Sequence, residues 1–78
     1  MRFTYDSHYN IAYIRFQEKK GEIETVRLSE ELIVDMASDG TIYGIELLNA
    51  NDQLRREDGG NLIVINEVTG KQVELSLK

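Results

Sequence analysis

The feature that most narrows what this chain can become is its rhythm. Short segments rich in β-branched and aromatic residues alternate with polar turns, several of them marked by one of six glycines, and there is no proline anywhere. Strands of an antiparallel sheet read this way. Residues 2–6 place Phe3 and Tyr5 on one side and Arg2, Thr4 and Asp6 on the other. After a polar turn, residues 11–17 set Ala12, Ile14 and Phe16 against Ile11, Tyr13, Arg15 and Gln17. A link of four residues makes these two segments an antiparallel hairpin.

Lys19-Lys20-Gly21 turns into a more polar strand, residues 22–28, whose charges suit a sheet edge. Residues 32–36 follow, apolar on both faces. Asp39-Gly40 is the clearest turn signal, because this pair readily takes the positive φ of a tight hairpin. Residues 41–48 line one face with Tyr43, Ile45 and Leu47 and the other with Ile42, Gly44, Glu46 and Leu48, so both faces need cover. Asn49 or Asn51 is placed to cap a helix running to about Glu57, with Ala50 and Leu54 on one side and Gly59-Gly60 ending it. A helix this short has to pack on the sheet to persist. Residues 61–78 read as a second hairpin around Thr69-Gly70-Lys71, with Val73, Leu75 and Leu77 alternating against Gln72, Glu74 and Ser76. The fold expected is therefore mainly β (α+β): an antiparallel β-meander of five strands, one short helix near residues 50–57, and a C-terminal β-hairpin.

At 78 residues there is room for one domain, residues 1–78, with 1–57 as its core and 58–78 as an additional hairpin. Domains of this size bury only ~60–65% of their unfolded surface. They usually rely on a disulfide, a metal or another copy of themselves. With no cysteine and one histidine, a disulfide and a zinc site of the common type are excluded. That leaves oligomerisation or a well-packed sheet, and since several strands are apolar on both faces, a homo-oligomer, first of all a dimer, is the expectation. No apolar leader and no stretch near the ~20 residues of a membrane span is present, which points to the cytoplasm and away from membranes.

Nine basic residues against fourteen acidic ones give a net charge of −5. The basic pairs Lys19-Lys20 and Arg55-Arg56 each have acidic neighbours, so no concentrated positive footprint exists for nucleic acid. A protein partner, and a basic one, suits this surface better.

Three groups of residues carry the functional alternatives. His8, the only histidine, lies in a polar turn without a nucleophile placed beside it. The acids Asp6, Asp35 and Glu46, with Asp39, are the material for a metal-dependent hydrolase, since clustered carboxylates hold magnesium for phosphoryl chemistry. The duller account gives Asp6 and Asp39 to turns and pairs Asp35 and Glu46 with Arg2, Arg15 or Arg27 across the sheet. For Glu46, if buried, the expected partner is Arg15 or Arg27, from the same chain or from a symmetry mate. Tyr13, Arg15 and Tyr43 are the residues for a contact face, as tyrosine and arginine are enriched where proteins meet. Gly44 inside a strand implies a close approach, by an aromatic ring on a neighbouring strand or by another chain's backbone. No phosphate loop, zinc spacing or nucleophile elbow occurs, so neither catalytic apparatus nor cofactor is read from motifs.

The order of several short motifs is also informative: Phe3-Thr4-Tyr5-Asp6, Ala12-Tyr13-Ile14-Arg15-Phe16, Ile33-Val34-Asp35, Asp39-Gly40 and Gly44-Ile45-Glu46-Leu47-Leu48-Asn49-Ala50. Together they resemble the YuzE-like family of small prokaryotic domains of unknown function, over roughly residues 1–54. The resemblance implies a β-meander closed by a short helix and brings no established activity. Some members look like partners of small toxins, so the resemblance implies an antitoxin-like or regulatory role. The hairpin at 61–78 is extra relative to the short form of that family. The sequence reading is thus a non-catalytic binding module, with the metal-dependent hydrolase as its alternative.

Overall fold

The computed structural model describes residues 1–77; Lys78, read above as the end of the hairpin, lies outside them. The chain is mainly β. Five strands, β1 (Arg2–Asp6), β2 (Ile11–Arg15), β3 (Glu24–Ser29), β4 (Leu32–Met36) and β5 (Ile42–Leu48), form one antiparallel sheet. A short helix, α1 (Ala50–Gln53), and a 3-10 turn (Asp58–Gly60) lead to a separate hairpin of β6 (Asn61–Ile65) and β7 (Gln72–Ser76).

The strands lie in space in the order β1-β2-β5-β4-β3. The hairpin β1–β2 and the meander β3–β4–β5 are thus zipped together through β2 and β5. Residues 16–23 carry the chain from the centre of the sheet to its far edge, and polar β3 takes that edge, where its charges deter pairing with other chains. Asp39 Oδ1 accepts from the Thr41 amide (2.9 Å) and Gly40 takes φ 90°, so the β4–β5 turn forms as its Asp-Gly pair dictates.

Register sorts the side chains into two faces. One row reads Phe3, Ile14, Ile45, Val34 and Val26 across all five strands; the next on the same face reads Tyr5, Ala12, Leu47 and Leu32. The opposite face carries the rows Arg2, Arg15, Gly44, Asp35 and Thr25, then Thr4, Tyr13, Glu46, Ile33 and Arg27. Because side chains alternate with period two, an apolar and a polar face follow from one set of strands.

The helix differs from the sequence reading in length and in capping. It ends at Gln53 rather than near Glu57, because after Leu54 the chain offers only charged residues with nothing apolar to anchor another turn. Asn49 sits at its start with φ 52° and makes no side-chain cap bond. The cap comes from the β1–β2 turn instead: Asn10 Oδ1 accepts from the Asn51 amide (2.6 Å), and the Asn10 carbonyl from that of Ala50 (3.1 Å). Gln53 Nε2 donates to the carbonyls of Leu48 (2.6 Å) and Glu31 (2.9 Å). The helix is therefore stitched to one end of the sheet and packs on β2 through buried Ala50, and at that end Asn51 Oδ1 accepts from the hydroxyl of Tyr5 on the apolar face.

On that face Phe3, Ile14, Ile45 and Val26 are half-buried and Val34 is buried. The molecule measures 36 × 32 × 18 Å, and its radius of gyration is 14.0 Å. A compact chain of this length would give roughly 11–12 Å. Ala12, Val34, Tyr43 and Ala50 are the buried apolar residues, and no large side chain among the described residues is fully enclosed.

Candidate functional site

A group of four interacting polar side chains is built around Asp35 on the polar face. Asp35 Oδ2 accepts from the Tyr13 hydroxyl (3.0 Å) and lies 2.9 Å from Lys19 Nζ; Oδ1 accepts from the Thr25 hydroxyl (3.0 Å). Lys19 also stands 5.2 Å from the centre of the Tyr13 ring, a cation–π contact. Three strands and the 16–23 crossover supply these four residues.

Gly44 makes the arrangement possible. Tyr13 and Asp35 sit in adjacent rows with β5 between their strands, so the phenol has to lie diagonally over β5 at position 44. A Cβ there would collide with the Tyr13 ring and would also come within 2.6 Å of the Ile14 carbonyl oxygen. The close approach inferred from a glycine inside a strand is that of an aromatic ring on the neighbouring strand.

The electrostatics make this a closed clasp. Burial works against the charged form of Asp35, but hydrogen bonds from Lys19, Thr25 and Tyr13, with the Lys19 charge, outweigh it and hold its carboxyl below the ordinary carboxylate value. The bond to Asp35 raises the Lys19 ammonium, and burial together with the Asp35 bond raises the Tyr13 phenol. At neutral pH the site therefore holds a carboxylate, an ammonium and an intact phenol. None of the three is poised to take or give a proton there.

The acids read as a hydrolase set do not converge. Asp35 and Glu46 occupy successive rows on the polar face, and Asp6 lies a row further on, opposite Ile11. Asp6 Oδ1 accepts from the amides of His8 (2.9 Å) and Tyr9 (3.1 Å), which makes it the organiser of the β1–β2 turn. His8 is exposed in that turn and meets Tyr9 edge to face, with 5.1 Å between ring centres. Among the described residues no group of three or more His, Cys, Asp or Glu is placed to hold a metal.

Within the chain Glu46 does not pair with Arg15 or Arg27 either. Ile33 stands between Glu46 and Arg27 in their row, and Arg27 Nη2 donates instead to the Glu30 carbonyl (3.2 Å). Arg15 is one row away, opposite Gly44 on one side and Arg2 on the other. The partners of Asp35 are likewise Lys19, Tyr13 and Thr25 rather than an arginine. Lys19 and Thr25 were missed because both depend on β3 lying beside β4, with the crossover returning past the polar face.

Tyr13, Arg15 and Tyr43, read as a contact face, do not share one. Tyr13 and Arg15 lie on the polar face, where with Arg2 and Thr4 they line a cavity of about 220 Å³. Tyr43 is buried, and its hydroxyl donates to the Lys20 carbonyl (2.5 Å). Lys19 and Lys20 thus pin the crossover at two successive residues, one by its side chain and one by its backbone.

Residues 2–51 match the family described as Protein of unknown function (DUF2283), and the chain belongs to that family. The match covers the sheet and the start of the helix and stops before the hairpin. No curated protein and no solved structure matches the chain. No helix among the described residues is long and apolar enough to cross a membrane.

Proposed function

We propose that the protein is a non-catalytic interaction module of the YuzE-like kind, which acts in the cytoplasm as a homodimer held by the apolar face of its sheet. The observation that carries this reading is the surface the chain leaves exposed. Domains bury a sheet's apolar face against another layer, and here Phe3, Ile14, Ile45 and Val26 are only half-buried beside buried Val34. The molecule exposes 5873 Å². A globular monomer of this mass would expose roughly 4,900 Å². The excess, roughly 1,000 Å² per chain, is comparable with the ~800 Å² each partner contributes to a stable interface.

A second copy is the partner argued for, since the chain has no cysteine for a disulfide and no metal cluster among the described residues to hold so small a domain together. Self-contact through the apolar face leaves Tyr13 and Arg15, on the polar face, for a different protein. The resemblance to domains that look like antitoxin partners supports a protein as that ligand. Sedimentation at tens of micromolar tests the first step. A species of twice the 9.0 kDa chain mass is expected; a monomer at that concentration defeats the reading.

A further inference from the structure

The C-terminal hairpin is the part of the fold that the family match does not reach. Its cross-strand pairs Leu62–Leu75 and Val64–Val73 place four aliphatic side chains on one face, while Asn61–Ser76, Ile63–Glu74 and Ile65–Gln72 fall on the other. Val64, Val73 and Leu75 are 55%, 58% and 52% exposed. A two-stranded hairpin is marginal in water without something packed on it. Within the chain its support comes mainly from the 3-10 turn, with the Leu77 amide donating to the Gly60 carbonyl (3.3 Å). Asp58, Gly59 and Gly60 take φ of 55°, 64° and 81° in succession, a sharp change of chain direction between the helix and β6. At the hairpin base Leu77 lines a cavity of about 320 Å³ with Phe3 and Tyr5, so the hairpin adjoins the apolar face of the sheet at its β1 edge.

We propose that this hairpin is an assembly arm: the face formed by Leu62, Val64, Val73 and Leu75 packs on the apolar sheet face of a second copy, with the two arms exchanged about a two-fold axis. The proposal rests on the self-assembly reading above and adds the element that completes the interface. A second copy fits because the surface it offers is the uncharged row Phe3, Ile14, Ile45, Val34 and Val26. The four-residue aliphatic face of the arm has the complementary chemistry. A two-fold operator makes each such contact twice, so one arrangement covers both exposed arms and both half-buried apolar faces.

The test combines sedimentation with cross-linking in the full chain. Val64→Thr with Val73→Thr keeps the β-branched shape, so the hairpin retains its strand preference while hydroxyls enter the contact. The dimer dissociation constant is expected to rise roughly 10- to 100-fold. The chain has no cysteine, so Leu75→Cys on one copy and Ile45→Cys on another are the only thiols in an equimolar mixture. Oxidation is expected to link the two variants into a covalent pair. A dimer whose dissociation constant is unmoved by the threonine pair, with no mixed covalent species, overturns the arm and leaves self-assembly standing. A monomeric wild type overturns both.

Discussion

On the polar face of the sheet a carboxylate, an ammonium, a phenol and a hydroxyl satisfy one another across the bare Cα of Gly44. On the apolar face a row of five aliphatic and aromatic side chains crosses all five strands, half-buried except at buried Val34. The same strands build both, one residue out of phase. Hydrogen bonds are directional and short, so the polar face can be completed by single side chains reaching their neighbours. Burial of apolar surface is non-directional and scales with area, so it needs a whole second layer. The polar face is therefore finished within one chain, whereas the apolar face keeps solvent-accessible surface, which the proposed second copy would cover.

The largest effect expected from breaking this comparison is at Gly44. Gly44→Ala should destabilise the fold by about 3 kcal/mol, because the added methyl meets the Tyr13 ring and the Ile14 carbonyl at once. Adding Tyr13→Ala to that chain should recover part of the loss in urea denaturation. No recovery would place the strain on the backbone alone and remove the ring from the explanation.

The apolar face is probed next by Val34→Ala. Val34 is 8% exposed at the centre of its row, and truncation should cost about 2 kcal/mol. If the face is shared between copies, the measured loss will grow with protein concentration; a loss independent of concentration would confine Val34 to a single-chain role.

Asp35→Asn should cost about 1–2 kcal/mol, since it keeps the shape of the side chain and removes the charge that Lys19 pairs with. It should also alter the pH profile. Asp35 has a depressed folded pKa, so its contribution is complete above the unfolded value, about 4, and disappears as pH falls through the lower folded one. Lys19 and Tyr13 have raised values, so their contributions hold below about pH 10 and fade as pH climbs through the folded values. The variant should flatten the acid limb of the wild-type profile. An acid limb identical to wild type would assign the acid sensitivity to other carboxylates.

The smallest effect expected is a gain. Arg2 and Arg15 face each other across β1–β2, and like charges so placed repel. Arg15→Gln should raise stability by a few tenths of a kcal/mol at low salt and leave it unchanged near 1 M salt, where charges are screened. A gain that persists at high salt would point to packing rather than charge.

Much of this fold was legible in local pattern. Phe3 and Tyr5, Ala12 and Ile14, and Val73 and Leu75 alternate in strands where the sequence places them, and Asp39-Gly40 makes its turn. The polarity of residues 22–28 marked an edge strand, and Gly44 marked a ring crossing over it. The helix was overextended, because a capping asparagine and two terminal glycines were given more weight than the lack of any apolar anchor beyond Leu54. The Asp35 clasp was seen only as a carboxylate in need of a partner.

What the sequence by itself determined is therefore the set of elements and the face each residue takes, because period-two alternation and turn chemistry are properties of neighbours along the chain. The tertiary structure decided which strands lie side by side. Joining β2 to β5 sent residues 16–23 across the sheet and brought Lys19 and Thr25 to Asp35. The same order set Arg15 between Arg2 and Gly44, and left Glu46 without its arginine. Pairing across strands depends on order and register, which close only when distant segments meet, so no local pattern can state it.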